Sequence, residues 1–305
     1  MISRYTQGGV VWIDFESPTM EELLPVAEEF QLNALLIEEL LSPTTKPRAD
    51  VYHECVYLVL HFPSLRHTRG TENNQEIDII LGKHFIITTH YTTGSALYDL
   101  GKAFETASLL PQKKGVTVNA GFVFLELIQR LYQSTEHELD ALEDTITGIE
   151  AKIFKGHERE MVTTISHASR ELLTHKRLVA SHHEILKTLE KAVVTLFGDD
   201  MARYVRGASA LHYRVHSRIT TLNDVLDELR ETNMALLSTR QNEIMKNLTV
   251  MAFIAYPLTF IASLFNMTTV HTPIVGMPND FYIILGGMVC LTVLLFLYFK
   301  LKNWF

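Results

Sequence analysis

Cysteine is almost missing from this chain of 305 residues: Cys55 lies in one apolar run and Cys290 in another. No disulfide framework and no cysteine-based zinc site is therefore expected. Clustered Lys and Arg are also missing, and the formal net charge is -8. That balance excludes a nucleic-acid partner, which would need grouped cations to neutralise phosphate. There is no G-x-x-x-x-G-K-[ST] phosphate cradle, and no paired acid and base or nucleophile motif stands out, so an enzyme is not expected. The opening MISRYTQGGVVWIDF has no apolar stretch of signal-peptide length, which leaves membrane insertion to later segments.

The most informative absence is local. From Leu248 to Phe265 and from Phe281 to Phe299 there is no Asp, Glu, Lys or Arg. Each run reaches about 18 residues or more, enough for a helix to cross a bilayer. Arg240 and Lys246 stand before the first run and Lys300 and Lys302 after the second, while Asn266 to Asp280 holds neither Lys nor Arg. The positive-inside rule then places both chain ends in the cytoplasm and the short connection outside, with Trp304 as an interfacial anchor. The lipid bilayer is thus the first partner read from the sequence.

The first run carries a face. Alternating steps of three and four from Asn242 give Met245, Thr249, Ala252, Tyr256, Thr259, Ser263 and Asn266, which are small, polar or sulfur-bearing. Positions off that row include Met251, Phe253, Ile254, Leu258, Phe260, Ile261, Leu264 and Phe265. Polar groups in hydrocarbon need a partner or water, so this row is expected to turn toward other helices or toward a water-filled path. Two readings fit: close helix packing, or several copies surrounding an axis to make a cation pore. Asn at both ends favours the pore. Pro257 sits mid-span and costs the backbone one hydrogen bond, leaving a bend or a hinge.

Gln241-Asn242-Glu243-Ile244-Met245-Lys246 through Pro257-Leu258-Thr259-Phe260-Ile261-Ala262 resembles the pore helix of the CorA family of divalent-cation transporters. Val11-Trp12-Ile13-Asp14, Glu16-Ser17-Pro18-Thr19, Glu21-Glu22-Leu23 and Leu81-Gly82-Lys83-His84-Phe85-Ile86-Ile87-Thr88 are similar to that family's cytoplasmic domain. The resemblance implies a CorA-like homopentamer in a bacterial-type inner membrane, with a funnel-shaped cytoplasmic domain and one pore helix per subunit. Its cargo would be divalent metal ions: Mg2+ by family expectation, with Zn2+ (as in the ZntB branch), Co2+ or Ni2+ open. No enzymatic cofactor is implied. The family's Gly-Met-Asn falls here on Asn266-Met267-Thr268, so Asn266 or Thr268 takes the outer-mouth role, and Gly276-Met277-Pro278 comes too late to replace it. The alternative is a non-conducting, membrane-anchored sensor or scaffold on the same fold, to which the altered motif and bulky Tyr256 point.

The expected architecture is an α/β cytoplasmic domain plus a long helical stalk and two C-terminal transmembrane helices. Strands are read at Gly9 to Phe15, Glu54 to Phe62, Gln75 to Leu81 and His84 to His90, the last two joined at Gly82-Lys83. A capped helix starts after Ser17-Pro18-Thr19, and another covers Leu32 to Leu41 until Pro43 and Pro47 stop it. Phe122 to Phe197 lacks proline and breaks only near Gly156, which predicts an antiparallel pair of helices. A further helix starts near Ala202 and runs without a stop into the membrane, a rod of roughly 60 residues, on the order of 90 Å. The resulting division is 1–120 for the α/β domain, 121–200 for the helical hairpin and 201–247 for the stalk. The membrane part is 248–267 (pore-lining span), 268–280 (external loop), 281–299 (second span) and 300–305 (cytoplasmic tail).

Continued backward, the polar row passes through Ser238, Ala235, Glu231, Glu228 and Asp224, so Asp224, Glu228 and Glu231 make a possible acidic mouth that concentrates cations. The alternative is an ordinary solvated face, and drift of about 20° per heptad weakens the register. Of the 14 histidines, His167, His175, His182 and His183 fall on one predicted helix, and His212 and His216 stand one turn apart as a candidate metal pair beside the reading of a solvated surface. The resemblance also implies regulatory divalent ions held by carboxylates between subunits. Glu136, Glu138, Asp140, Glu143, Asp144 and Glu150 supply acidic residues on one helix, without a match to family positions and equally consistent with a solvated face.

Overall fold

The computed structural model describes residues 1–44, 46–63, 74–91, 97, 101–102, 119–267, 274 and 279–302. The chain divides into two compact units, Met1–Arg230 and Glu231–Phe305.

The first unit is built on a six-stranded sheet in the order β1-β2-β6-β5-β4-β3. Its strands are β1 (Ile2–Gln7), β2 (Val10–Glu16), β3 (Arg48–Val51), β4 (Cys55–Pro63), β5 (Asn74–Gly82) and β6 (Phe85–His90). β2 runs parallel to β6, and every other neighbouring pair is antiparallel. The edge strands β1 and β3 had no counterpart among the predicted strands. β1 alternates exposed and half-buried residues and holds few apolar side chains, so its pattern is that of a sheet edge. It turns into β2 through Gly8 and Gly9, both at positive φ (59° and 84°), as a two-residue hairpin requires.

β4 is buried along its whole length, because both faces of the sheet are covered. One face meets α1 (Met20–Glu29) and α2 (Ala34–Glu39): Leu23, Val26, Leu36 and Leu40 close with Ile13, Phe15, Tyr57, Val59, Ile80 and Ile87 into a core. The start of α1 is set by a capping box, with the Thr19 side chain accepting from the Glu22 amide and the Glu22 side chain accepting from that of Thr19. The other face meets the long helices α3 (Ala120–Phe154) and α4 (Glu158–Phe197). There Phe62 of β4 lies 5.4 Å from the ring of Tyr132 and 4.7 Å from that of His182. Gly156, at φ 95°, makes the turn between α3 and α4, and Gly198, at φ 88°, ends α4.

Glycine at 82 serves close approach rather than turn geometry. Gly82 closes β5, has no positive φ, and a Cβ placed there would stand 2.2 Å from the Phe85 ring. The β5–β6 turn is therefore Lys83-His84, one residue later than predicted. After Gly198, α5 (Asp199–Phe265) runs for 67 residues. Its first turns pack on α3 at Gly121, where an added Cβ would meet the Met201 sulfur at 2.6 Å.

The acidic face of α3 is neither bare nor merely solvated. Arg214 of α5 forks onto Glu136 at 2.9 and 3.2 Å, and Arg218 reaches both Asp140 and Glu143 at 2.6 Å. These partially exposed pairs fix how α3 and α5 align rather than contributing much stability.

Polar groups are buried beneath α2 as well. Glu76 of β5 accepts from the Thr44 amide at 2.7 Å and lies 3.3 Å from His61 Nε2, and Tyr91 donates to Asp78 at 3.2 Å. Burial, followed by the charge of Glu76, raises the Asp78 carboxyl well above the ordinary range.

The second unit holds the remainder of α5 and α6 (Asp280–Leu301). Both helices are long and apolar enough to cross a membrane. Met251 (66%), Phe260 (65%) and Val289 (56%) are exposed, so these are not the core helices of a soluble protein; lipid or further copies of the chain must cover them. Ile283, Val293 and Leu297 continue the exposed apolar surface along α6.

Two outcomes test these assignments. Gly82→Ala should lower stability by about 1–3 kcal/mol, since the Phe85 ring must move. Gly148→Ala, on the exposed side of α3 where an added Cβ meets nothing within 4 Å, should raise it by about 0.5–1 kcal/mol. Denaturant unfolding of both variants checks the pair. Asp78→Asn should gain stability over the parent as pH rises above about 4, because folded Asp78 keeps a proton that the unfolded chain releases. Melting temperatures across pH measure this, and a gap between the two proteins that does not change with pH contradicts it.

Candidate functional site

The polar row on α5 is built by helical repeat alone: steps of three and four return to one face at 3.6 residues per turn. In the folded chain, Asn242, Met245 (56%), Tyr256 (74%), Thr259, Ser263 and Asn266 are exposed, and Thr249 and Ala252 are half-buried. The covered side lies elsewhere. Val250 is fully buried (0%), Lys246, Ile254, Pro257, Leu258, Ile261 and Phe265 are half-buried, and Phe253 meets Phe299 of α6 with ring centres 6.2 Å apart. The centres of the two faces differ by on the order of 150° around the helix. The chain thus covers one side of this segment and leaves the polar row open.

Hydrogen bonding gives that row its chemical sign. Thr249 Oγ1 donates to the Met245 carbonyl at 2.7 Å, and Thr259 Oγ1 donates toward the carbonyls of Ala255 and Tyr256 at 3.1 and 2.9 Å. A hydroxyl has one proton. With that proton turned back to the helix, each oxygen shows only lone pairs outward, which suits a cation or the water around one. Pro257, two residues before Thr259, leaves the Phe253 carbonyl without its usual amide. The helix closes where the Asn266 amide bonds back to Ala262 and Ser263, both at 3.2 Å, and the Met267 amide to Leu264 at 3.3 Å. Asn266 and Met267 are exposed there, whereas Thr268 and most of 268–280 lie outside the described residues, as does Trp304.

Asp224, Glu228 and Glu231 are exposed on α5 and make no ion pair among the described residues. Asp227, three residues after Asp224 and four before Glu231, is engaged by Asn223 at 3.0 Å and Arg230 at 3.1 Å.

The histidines depart from the reading of a solvated surface. His182 is completely buried, with Nδ1 2.9 Å from the Tyr132 hydroxyl and Nε2 donating to the His61 carbonyl at 3.0 Å. Burial pushes its pKa down to about 3. This link ties α3, α4 and β4 together; its members are 50 and 121 residues apart, and no local pattern announces it. His212 is buried too, its Nε2 donating to the Val179 carbonyl at 2.9 Å, and burial lowers its pKa. His216 is half-buried, 5.7 Å from His212 between ring centres. Among the described residues, no three or more His, Cys, Asp or Glu side chains already close around a metal position.

Known proteins resemble this chain along most of its length. The cobalt/magnesium transport protein CorA of Thermotoga maritima is 23% identical over 279 residues, covering 92% of this chain and 78% of that one. The complete structure of the CorA magnesium transporter from Methanocaldococcus jannaschii superposes with a TM-score of 0.82 at 18% identity, covering 97% of this chain and 92% of that one. The cytoplasmic domain of ZntB from Vibrio parahaemolyticus gives a TM-score of 0.61 at 15% identity over 78% of this chain and 91% of that one. Residues 7–301 match the family described as CorA-like Mg2+ transporter protein, and the chain belongs to that family.

Proposed function

We propose that this chain is one subunit of a homopentameric, passive channel for divalent metal cations, with the polar row of α5 from five subunits facing a shared axis. The open face carries this reading: hydroxyl and amide oxygens turned away from the side that the chain itself covers. In hydrocarbon such a face needs partners, and copies of itself around an axis supply them together with water. The Thermotoga relative's name, a cobalt/magnesium transport protein, supports a divalent cargo.

Neutral oxygens fit a hydrated dication. Mg2+ gives up its water reluctantly, so Thr259, Ser263 and Asn266 would act through the shell rather than by direct ligation. Mg2+ is the first cargo on family grounds. The replacement of Gly-Met-Asn by Asn266-Met267-Thr268 widens the range to Zn2+, Co2+ and Ni2+. No phosphate loop is present and no ionisable acid or base stands in the row, so flow would follow the electrochemical gradient. Lys and Arg beside the spans support an orientation with both chain ends in the cytoplasm, and the family supports a membrane of the bacterial inner type. Asp224, Glu228 and Glu231 would raise the local cation concentration at the inner mouth.

Protein reconstituted in dye-loaded liposomes under a negative-inside potential should pass Mg2+, Co2+, Ni2+ or Zn2+. Thr259→Leu and Asn266→Leu should each cut the flux about tenfold or more, and Thr259→Ser should retain most of it. Absence of flux for all four ions would instead favour the non-conducting sensor or scaffold, with Tyr256 filling the axis. Replacing Asp224, Glu228 and Glu231 by their amides should slow flux up to about tenfold at low ionic strength, and the deficit should shrink as salt is added. A deficit insensitive to salt removes the acidic mouth from the mechanism.

A further inference from the structure

A groove of about 600 Å³ runs along α4 and α5 and is lined by His183, Lys187, Glu190, His212, Tyr213 and His216. Three imidazoles line it, with His212 between the other two. The rings of His183 and His212 are 6.0 Å apart between centres and those of His212 and His216 are 5.7 Å apart. Imidazoles sharing one ion through N-to-metal bonds of about 2.1 Å have ring centres on the order of 5–6 Å apart. We propose that His183, His212 and His216 form a site for a transition-metal dication of the Zn2+, Co2+ or Ni2+ class, bridging α4 and α5.

His212 supplies the fixed ligand. Its Nε2 faces the Val179 carbonyl at 2.9 Å and must carry the proton, so the lone pair of the neutral ring is on Nδ1. A carbonyl behind a ligating imidazole is the usual outer support of a metal-bound histidine, fixing tautomer and ring orientation. His212 and His216 are one turn apart on α5 and share a face. His183 comes from α4, with its side chain 66% exposed.

The resting rings do not yet close around a centre. An ion must turn exposed His183 and half-buried His216 toward His212, and both have room at the groove surface. The basic side chains nearby are balanced: Lys187 lies 3.9 Å from Glu184 and Arg206 3.7 Å from Glu190. Glu190 also lines the groove, two turns along α4 from His183. Imidazole selects against Mg2+, which prefers oxygen ligands and keeps its waters. The site therefore separates transition metals from Mg2+, a distinction that the neutral oxygens of the α5 row do not make. It stands independently of transport, because binding is measured without flux.

Equilibrium dialysis and Co2+ absorption spectroscopy of the full-length, untagged chain in detergent test it. Wild type should bind Zn2+ or Co2+ saturably, with one His-dependent equivalent per chain that millimolar Mg2+ does not displace. His183→Gln and His216→Gln, both at the groove surface and tolerable to the fold, should each weaken that equivalent about tenfold or more, and the double variant should lose it together with the imidazole-to-cobalt bands. The proposal is overturned if the double variant binds like wild type, if Mg2+ competes at equal concentration, or if wild type shows no saturable equivalent.

Discussion

A hydroxyl or amide placed in hydrocarbon must find a hydrogen-bond partner or water, and much of the membrane unit follows from how this chain meets that demand. Thr249 and Thr259 satisfy their protons on their own helix. The Thr259 oxygen and the side chains of Asn242 and Asn266 are exposed, and Thr249 is half-buried at the edge of the same face. Burying that side in lipid would cost several kcal/mol per unsatisfied group. The face therefore calls for copies of itself, water, or ions, and a family of divalent-cation transporters is a natural home for it.

In the first unit the same accounting gives a different answer. Its sheet is covered on both faces, so polar groups inside must be paired within the protein. Asp14 accepts from Thr88 at 2.5 Å, Thr88 accepts from Trp12 at 3.0 Å, and His182 joins Tyr132 to the backbone of β4. The pairing is not complete: Tyr57, Gln75 and Thr89 each leave a buried polar atom without a hydrogen bond, and of the Asp78 oxygens one takes the Tyr91 hydroxyl while the other, next to Glu76, takes none. A buried acid in that position is held protonated, and its environment opposes ionisation.

Carboxylates divide into two kinds on the long helices. Those of α3 that face α5 are consumed by Arg214 and Arg218, so they align helices rather than wait for a metal. Those of α5 at 224, 228 and 231 have no such arginine. Imidazoles divide similarly: His182 is locked inside, whereas His183 and His216 stand at the groove rim around the oriented ring of His212. Identical residue types thus serve as struts in one place and stay open at the surface in another.

The readable part of the sequence was the local part. Two charge-free runs mark the candidate spans, the repeat of three and four from Asn242 to Asn266 marks the open face, and Thr19 with Glu22 marks the start of α1; each depends on residues a turn or so apart. The edge strands β1 and β3 escaped because a strand paired on one side carries little apolar pattern. Gly82 was read as a turn residue, although its role comes from the ring of Phe85 lying across it. The burial of His182 and His212, the pairing of Glu136 with Arg214, and the meeting of His183 with His212 depend on which helices become neighbours. Helical period and bilayer length are written in consecutive residues, so sequence alone determined the spans and the polar row. Contacts between residues tens of positions apart exist only once the chain has folded, so tertiary structure decided which polar side chains became struts and which stayed open.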